Sequence, residues 1–405
     1  MKQAALDAWV RKQEGLSCVT RQDLETLQLK KLNQLLKREK ERGGFYGNLP
    51  FRLDSLEEVK ELPFTTEEDL RREGNRMVLL SQSLIERVRT ETTSGTTGTA
   101  KRIYYSEEDQ NRTVSFFAAG LSELVHKGEK TMICMPFSGA RGLGELISEA
   151  VCQLEATPVK AGIGRTYGEL LDILEEEKPE TFVGMPIPLL SLLRLKPKNS
   201  LQRALISADV CPKGIQKEIE MRLGSRLYPH YGSREMGLAG AVTCPAFQGM
   251  HLRENDILAE IVDKAGNPLP AGCWGELVIT TLQAEAMPLI RYRTGDYTRF
   301  YAEPCPCGSV LHRLDQVSRM EQGQSMAELD EKLFSASGVI DYQTTLTKKG
   351  IWVEGYGTAP LEMPGISNWR GYPVEYRWRL VKKEDKPCYL GKRRILLMTF
   401  TILPG

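Results

Sequence analysis

The string Thr93-Ser94-Gly95-Thr96-Thr97-Gly98-Thr99-Ala100-Lys101 holds the densest chemistry in the chain. Its glycines let backbone amides turn inward and approach a polyanion. Its hydroxyls donate further hydrogen bonds to phosphate oxygens, and Lys101 adds charge. The spacing is not that of a Walker loop, whose lysine directly follows the last glycine. A plain Ser/Thr/Gly surface loop is the competing reading. A second constellation is Cys244, His251, Cys305 and Cys307. The Cys305-Pro306-Cys307-Gly308 turn lets two thiolates face one ion. Three thiolates and an imidazole would make a closed tetrahedral Zn²⁺ site with no open position for water, hence a structural one. His312 is the substitute ligand if His251 faces elsewhere. The alternative is four unrelated residues, with the cysteines as small buried hydrophobes.

The elements that must position these groups alternate. Strands are expected at 132–136, 157–160, 181–184, 204–207 and 226–230, with helices at 143–153, 167–177, 188–193 and 215–223. Such alternation implies βαβ crossovers and a parallel sheet, with ligands outside the carboxyl ends of its strands. Ala208 and Asp209 follow the 204–207 strand and are therefore expected near a nucleotide. Residues 253–302 turn β-rich and read as a smaller antiparallel sheet. A long surface helix is expected over 20–42, capped by Thr20 with Asp23 and stopped at Gly43-Gly44. Two short helices broken at Pro63 are expected over 57–73. A polar segment at 321–331 leads into an α+β stretch that ends in a strand over 395–402.

Three further strings stand in order with the first. Tyr231-Gly232-Ser233-Arg234-Glu235-Met236-Gly237 resembles the aromatic-Gly-Ser-x-Glu motif of the superfamily that contains acyl-CoA synthetases, adenylation domains and luciferases. Tyr292-Arg293-Thr294-Gly295-Asp296 resembles its Tyr-Arg-Thr-Gly-Asp motif, and 93–101 its phosphate loop. Leu62-Pro63-Phe64-Thr65-Thr66-Glu67-Glu68-Asp69-Leu70 is similar to the phenylacetate–CoA ligase and coenzyme F390 synthetase branch. The resemblance covers roughly residues 20–312.

It implies an α/β fold: a large N-terminal adenylation domain, 1–316, with parallel and antiparallel sheets, and a small, mobile α+β C-terminal lid domain, 317–405. It implies that Thr93, Ser94, Gly95, Thr96, Thr97, Gly98 and Lys101 hold the ATP phosphates. Glu235 would ligate Mg²⁺, Tyr231 with Gly232 and Ser233 would lie against the adenine, and Asp296 would accept from the ribose. Lys392, in Gly391-Lys392-Arg393-Arg394, resembles the superfamily's C-terminal catalytic lysine. Its alternative is a basic strand edge. Some relatives in this branch carry a similar Cys/His set.

The activity so implied is ATP-dependent conversion of a small, aryl-type carboxylic acid to an acyl-adenylate, then to a CoA thioester. The cofactors are ATP, Mg²⁺, CoA and structural Zn²⁺. Two other readings stay open: an adenylyltransferase resembling coenzyme F390 synthetase, and an adenylate-forming protein that uses another acceptor or chiefly binds a partner. The segment Asp315-Gln316-Val317-Ser318-Arg319-Met320 keeps these alive. It sets Gln316 and Ser318 where the hinge motif has a basic and an acidic residue. Arg141, in Phe137-Ser138-Gly139-Ala140-Arg141-Gly142, faces solvent or supplies a pocket cation.

Composition fits a soluble enzyme. The chain has 405 residues, 41% hydrophobic and 26% charged, with a formal net charge of +1. That balance gives no general attraction to nucleic acid or to an acidic membrane. No apolar run approaches the roughly 20 residues of a membrane span, and no signal-like stretch opens the chain, so a cytoplasmic location is expected. Nine cysteines then read as free thiols or metal ligands. A homodimer is a further expectation.

Overall fold

The protein is described by a computed structural model. It covers residues 4–91, 100–319, 326–347, 349–358, 366–369, 371–381 and 396–397. The chain divides into two compact units.

The first unit comprises Met1–Glu123, Gly139–Leu154 and Tyr228–Met320. Its helix Arg21–Arg42 starts as expected, with Thr20 and Asp23 in a reciprocal capping box, and stops at Gly43. Leu32, Leu35 and Leu36 bury one face of it in a core shared with Ile257, Ile261, Leu277, Ile279 and Ile290. Of these, Ile257, Ile261, Leu277 and Ile279 belong to an antiparallel sheet of Ile257–Val262, Gly275–Thr281, Tyr292–Thr298 and Ser318–Arg319. The β-rich expectation for 253–302 is met there. A second antiparallel set joins Tyr228–Tyr231, Ala241–Thr243, Met250–Leu252 and Arg313–Leu314. The strand Tyr228–Tyr231, expected after the helix Lys213–Leu223, pairs antiparallel with Ala241–Thr243.

A two-stranded hairpin, Arg87–Glu91 with Lys101–Tyr105, flanks the phosphate string and pairs Glu91 with Lys101. Two further segments form helices: Ala5–Glu14, and Glu107–Leu121 behind a Ser106/Asp109 capping box.

The second unit comprises Leu124–Ser138, Glu155–Leu227 and Glu321–Gly405. Lys130–Ile133, Thr157–Lys160, Thr181–Gly184 and Arg203–Ile206 form the expected parallel sheet. Gly184 meets a spatial demand, because a Cβ there would lie 2.6 Å from the Phe182 ring. The helices Tyr167–Glu177 and Pro186–Leu195 share one apolar core with the C-terminal helix Ala327–Phe334 and the strands Val339–Thr347 and Gly350–Gly357. The polar segment expected to run to residue 331 is thus helical from Ala327, since Leu329, Leu333 and Phe334 supply a buried stripe. Polar anchors reinforce that core. Tyr167 donates to Asp341 at 2.7 Å, and Ser191 donates to the Ile340 carbonyl at 2.5 Å. Buried Arg194 donates to the carbonyls of Phe334, Ala336 and Val339 while paired with Glu218.

Candidate active site

Lys101 opens the second strand of the hairpin and is almost wholly buried, at 5% exposure. Its Nζ lies 2.7 Å from Glu235 Oε1 and 3.9 Å from Glu67 Oε2. Glu67 is held at the first turn of the helix Glu67–Glu73 by the Thr66/Asp69 capping box. Glu235 sits in the short turn Arg234–Met236. Burial alone would raise the Glu235 carboxyl, but the Lys101 ammonium beside it prevails and holds it below its ordinary value. The pair therefore keeps a carboxylate ionised in the interior. A hard oxygen donor of that kind suits Mg²⁺.

The segment carrying Glu235 is tight. A Cβ on Gly232 would lie 2.1 Å from the Leu238 carbonyl oxygen, so only glycine fits. The Leu238 amide closes the loop onto the Ser233 carbonyl at 2.6 Å. Ahead of it, Tyr231 donates its hydroxyl to Asp296 Oδ2 at 2.6 Å. Burial and the Asp296 charge both push the Tyr231 pKa well up, so it stays a neutral donor. Asp296 is buried and also meets Arg319 Nε at 3.1 Å. Arg319 in turn donates to the Thr294 carbonyl at 2.6 Å.

The structure thus brings Lys101 to Glu235 and Tyr231 to Asp296. Sequence reasoning missed Glu67 and Arg319 as partners of these groups. Glu67 lay in the motif 62–70, and Arg319 in the altered hinge string, yet neither position carries a charge-pairing signal by itself.

Ala208 and Asp209 follow Arg203–Ile206 in the second unit, as expected at a strand's carboxyl end. Ala208 has φ 71, a left-handed conformation that a Cβ disfavours. Such strain is often kept at functional positions. The Asp209 side chain accepts from the Val210 amide at 3.0 Å. Arg141 is half-buried and bridges Asn111, at 2.8 Å, and Glu149, at 3.3 Å. Thr93, Ser94, Gly95, Thr96, Thr97, Gly98 and Lys392 lie outside the described residues.

The cysteine and histidine constellation converges. One ligand atom each from Cys244, His251, Cys305 and Cys307 lies within 4.8 Å of all the others, and all four residues are buried. Cys244 and Cys305 sulfurs are 3.7 Å apart, and Cys307 Sγ is 3.4 Å from His251 Nε2. A disulfide would need about 2.05 Å. Tetrahedral zinc, with bonds of about 2.3 Å to sulfur and about 2.0 Å to nitrogen, separates two sulfurs by about 3.8 Å and a sulfur–nitrogen pair by about 3.5 Å. The separations fit the ion.

His251 Nδ1 lies 3.2 Å from the Leu311 carbonyl. A carbonyl only accepts, so Nδ1 is the donor there, and Nε2, which faces Cys307, is the nitrogen placed to ligate an ion. His251 sits centrally, with Val242 and Arg313 opposite it on neighbouring strands. His312 is engaged elsewhere, 2.7 Å from Glu254, which also takes a double contact from Arg21. Of the two histidines considered, His251 is the one in the cluster.

Comparison with known proteins turns on this same stretch of chain. The family described as "AMP-binding enzyme" matches residues 92–284, which span the phosphate string and the Glu235 turn. The chain is 29% identical to the phenylacetate-coenzyme A ligase of Thermus thermophilus over 329 residues, covering 75% of this chain and 72% of that protein. It is 28% identical to the Escherichia coli phenylacetate-coenzyme A ligase, covering 73% and 71%. Residues 92–284 thus carry an AMP-binding enzyme match, and over most of its length the chain is similar to phenylacetate-coenzyme A ligases. The fold agrees. A 2-hydroxyisobutyryl-CoA ligase crystallised in its postadenylation state matches with a TM-score of 0.75 at 19% identity, covering 93% of this chain and 90% of that one. The buried Lys101–Glu235 and Tyr231–Asp296 pairs of this chain fall in the motifs that the sequence singled out. Among the described residues, no helix is long and apolar enough to cross a membrane.

Proposed function

We propose that this protein activates a carboxylic acid with ATP to give an acyl-adenylate and pyrophosphate, then transfers the acyl group to the thiol of CoA, releasing AMP. The observation that carries this reading is the buried Lys101–Glu235 pair, 2.7 Å apart, beside the phosphate hairpin. Attack of one anion on another is limited mainly by electrostatics, so fixed cations and a metal-binding carboxylate supply what the step requires. Mg²⁺ supplies charge neutralisation when bound. Glu235 would hold it, leaving Lys101 to face phosphate oxygens with the loop 93–98. Asp296, with oxygens directed to Tyr231 and Arg319, would accept from the ribose, and Tyr231 would lie against the base. Ala208 and Asp209 would border the nucleotide, and Lys392 would neutralise charge as the carboxylate reaches phosphorus.

Relatives at 28–29% identity are named phenylacetate-coenzyme A ligases, which favours an aryl or similarly small acid. The thiol step is proposed to use residues 317–405 as a lid. Any such turn either breaks the anchors of Tyr167, Ser191 and Arg194 on 334–341 or pivots beyond them. The four-residue Cys/His cluster is proposed to hold a structural Zn²⁺, stapling the Cys244 loop to the turn at Cys305–Cys307. Reduced thiols in that set accord with a cytoplasmic setting.

Carboxylate-dependent ATP–pyrophosphate exchange over a panel of acids, with and without CoA, tests the reading. Exchange with one acid, and AMP release only with CoA, is the expected result. Exchange that ignores CoA would move the protein to another acceptor. No exchange with any acid would overturn the proposal.

A further inference from the structure

The turn that carries Glu235 is held from outside itself. It spans only Arg234–Met236, so it satisfies few of its own carbonyls, as at any helix end. Three buried side chains from other segments of the first unit donate to the carbonyls around Glu235. The Tyr105 hydroxyl, on the hairpin strand Lys101–Tyr105, donates to the Arg234 carbonyl at 2.6 Å. That carbonyl belongs to the peptide that enters Glu235. The Arg253 guanidinium donates through Nη2 to the Met236 carbonyl at 3.2 Å. The Thr113 hydroxyl, on the helix Glu107–Leu121, lies 2.7 Å from the Gly237 carbonyl and 3.1 Å from the Asp109 carbonyl of its own helix. It has one hydrogen to give, and the shorter contact is the one to Gly237.

Arg253 ties the segment at two points, because its backbone amide also donates to the Gly240 carbonyl at 2.8 Å. Its guanidinium lies 5.6 Å from the centre of the Phe116 ring, and Asp256, 3.6 Å from Nε, offsets its charge. Its Nη1 is buried without a hydrogen-bond partner. A buried donor left unfilled is costly, and the filled donor of this side chain serves the Glu235 turn. The segment requires such restraint. Leu238 has φ 70, a left-handed conformation that persists in a non-glycine residue only where the surroundings over-determine it. Gly237, at φ 69, has little room: a Cβ there would lie 3.2 Å from Thr113 Oγ1.

We propose that Tyr105, Thr113 and Arg253 are positioning residues that aim the Glu235 carboxylate at the nucleotide's metal ion by clamping the backbone on both sides of it. This rests on the reading of Glu235 as the Mg²⁺ ligand. Outer partners of a metal ligand fix its orientation, and loss of one typically costs about 10- to 100-fold in metal affinity.

The test is isothermal titration of the full-length protein with α,β-methylene-ATP, which cannot release pyrophosphate. One titration has saturating Mg²⁺ and the other has no divalent ion added. The ratio of the two affinities is the gain that the metal supplies. Thr113→Val and Tyr105→Phe keep shape and remove a hydroxyl, Thr113→Ser restores one, and Arg253→Met removes the third donor. Thermal melting checks folding, and the two hydroxyl variants carry the test if Arg253→Met does not fold. The expected result is a Mg²⁺ gain reduced about tenfold in Thr113→Val and Tyr105→Phe, with metal-free affinity equal to wild type and the full gain kept in Thr113→Ser. A wild-type gain in both folded hydroxyl variants overturns the clamp. So does an equal fall in both affinities, which is what a merely structural role would produce. Glu235→Gln in the same titration separates the two readings: a full Mg²⁺ gain there would refute Glu235 as the metal ligand, and the clamp would fall with it.

Discussion

Glu39 offers a quantitative test of how the first unit is built. It lies in the last turn of Arg21–Arg42 and is fully buried, at 0% exposure. Neither carboxylate oxygen has a hydrogen-bond partner. Burial raises its pKa from the ordinary 4.5 to about 7, against a smaller opposing pull from Arg38 and Arg42. The negative end of the helix acts in the same direction as burial.

Because the folded pKa is the higher one, the folded state binds the proton more tightly than the unfolded chain between those values. Stability must therefore fall as pH rises from 4.5 to about 7 and level off above. At about 1.4 kcal/mol per unit, the loss is about 3 kcal/mol. Glu39→Met keeps the length of the side chain and removes the titration. Urea unfolding of both proteins, followed by a probe in the first unit, should give similar midpoints at acidic pH. At pH 8 the variant should be the more stable by up to about 3 kcal/mol. Parallel curves across that range would refute the argument and mean that Glu39 finds a partner or water when ionised.

The remaining predictions concern chemistry. Lys392→Ala should cut carboxylate-dependent exchange by about 100-fold or more while ATP affinity changes little, because the lysine acts late; unchanged exchange removes it from the mechanism. Glu235→Gln should weaken Mg²⁺ activation in a metal titration of exchange, and an activation curve identical to wild type would sink its role as metal ligand. Purified protein should carry about one zinc per chain by elemental analysis, since closed Cys/His sites bind tightly. Cys305→Ser should lose that zinc and lower the melting temperature; full metal content in the variant, or well under one zinc in unchelated wild type, would count against the site.

Local patterns were legible where one segment carries the whole signal. The helix Arg21–Arg42 follows from a leucine stripe and a Thr20/Asp23 cap. The parallel strands follow from short apolar runs alternating with amphipathic helices. Glycine-rich and Tyr-Gly strings marked the nucleotide motifs because backbone approach to phosphate needs specific residue types. By contrast, the helix Ala327–Phe334 was obscured because acidic and basic residues interleave with its buried stripe.

What the sequence determined alone was the inventory: a Gly/Ser/Thr string ending in Lys101, a carboxylate beside glycines, a Cys/His set and the order in which they occur. Tertiary structure decided the partnerships. It chose His251 over His312, since only His251 is carried on a strand whose neighbours bring Cys244 and the Cys305–Cys307 turn to it. It placed Lys101 on Glu235, and Arg319 on Asp296, across long separations in the chain. It also engaged Arg141 with Asn111 and Glu149. The reason is physical. Backbone conformation and amphipathic period are set by residues within a few positions of one another, whereas charge pairing depends on distances that exist only after the cores have packed.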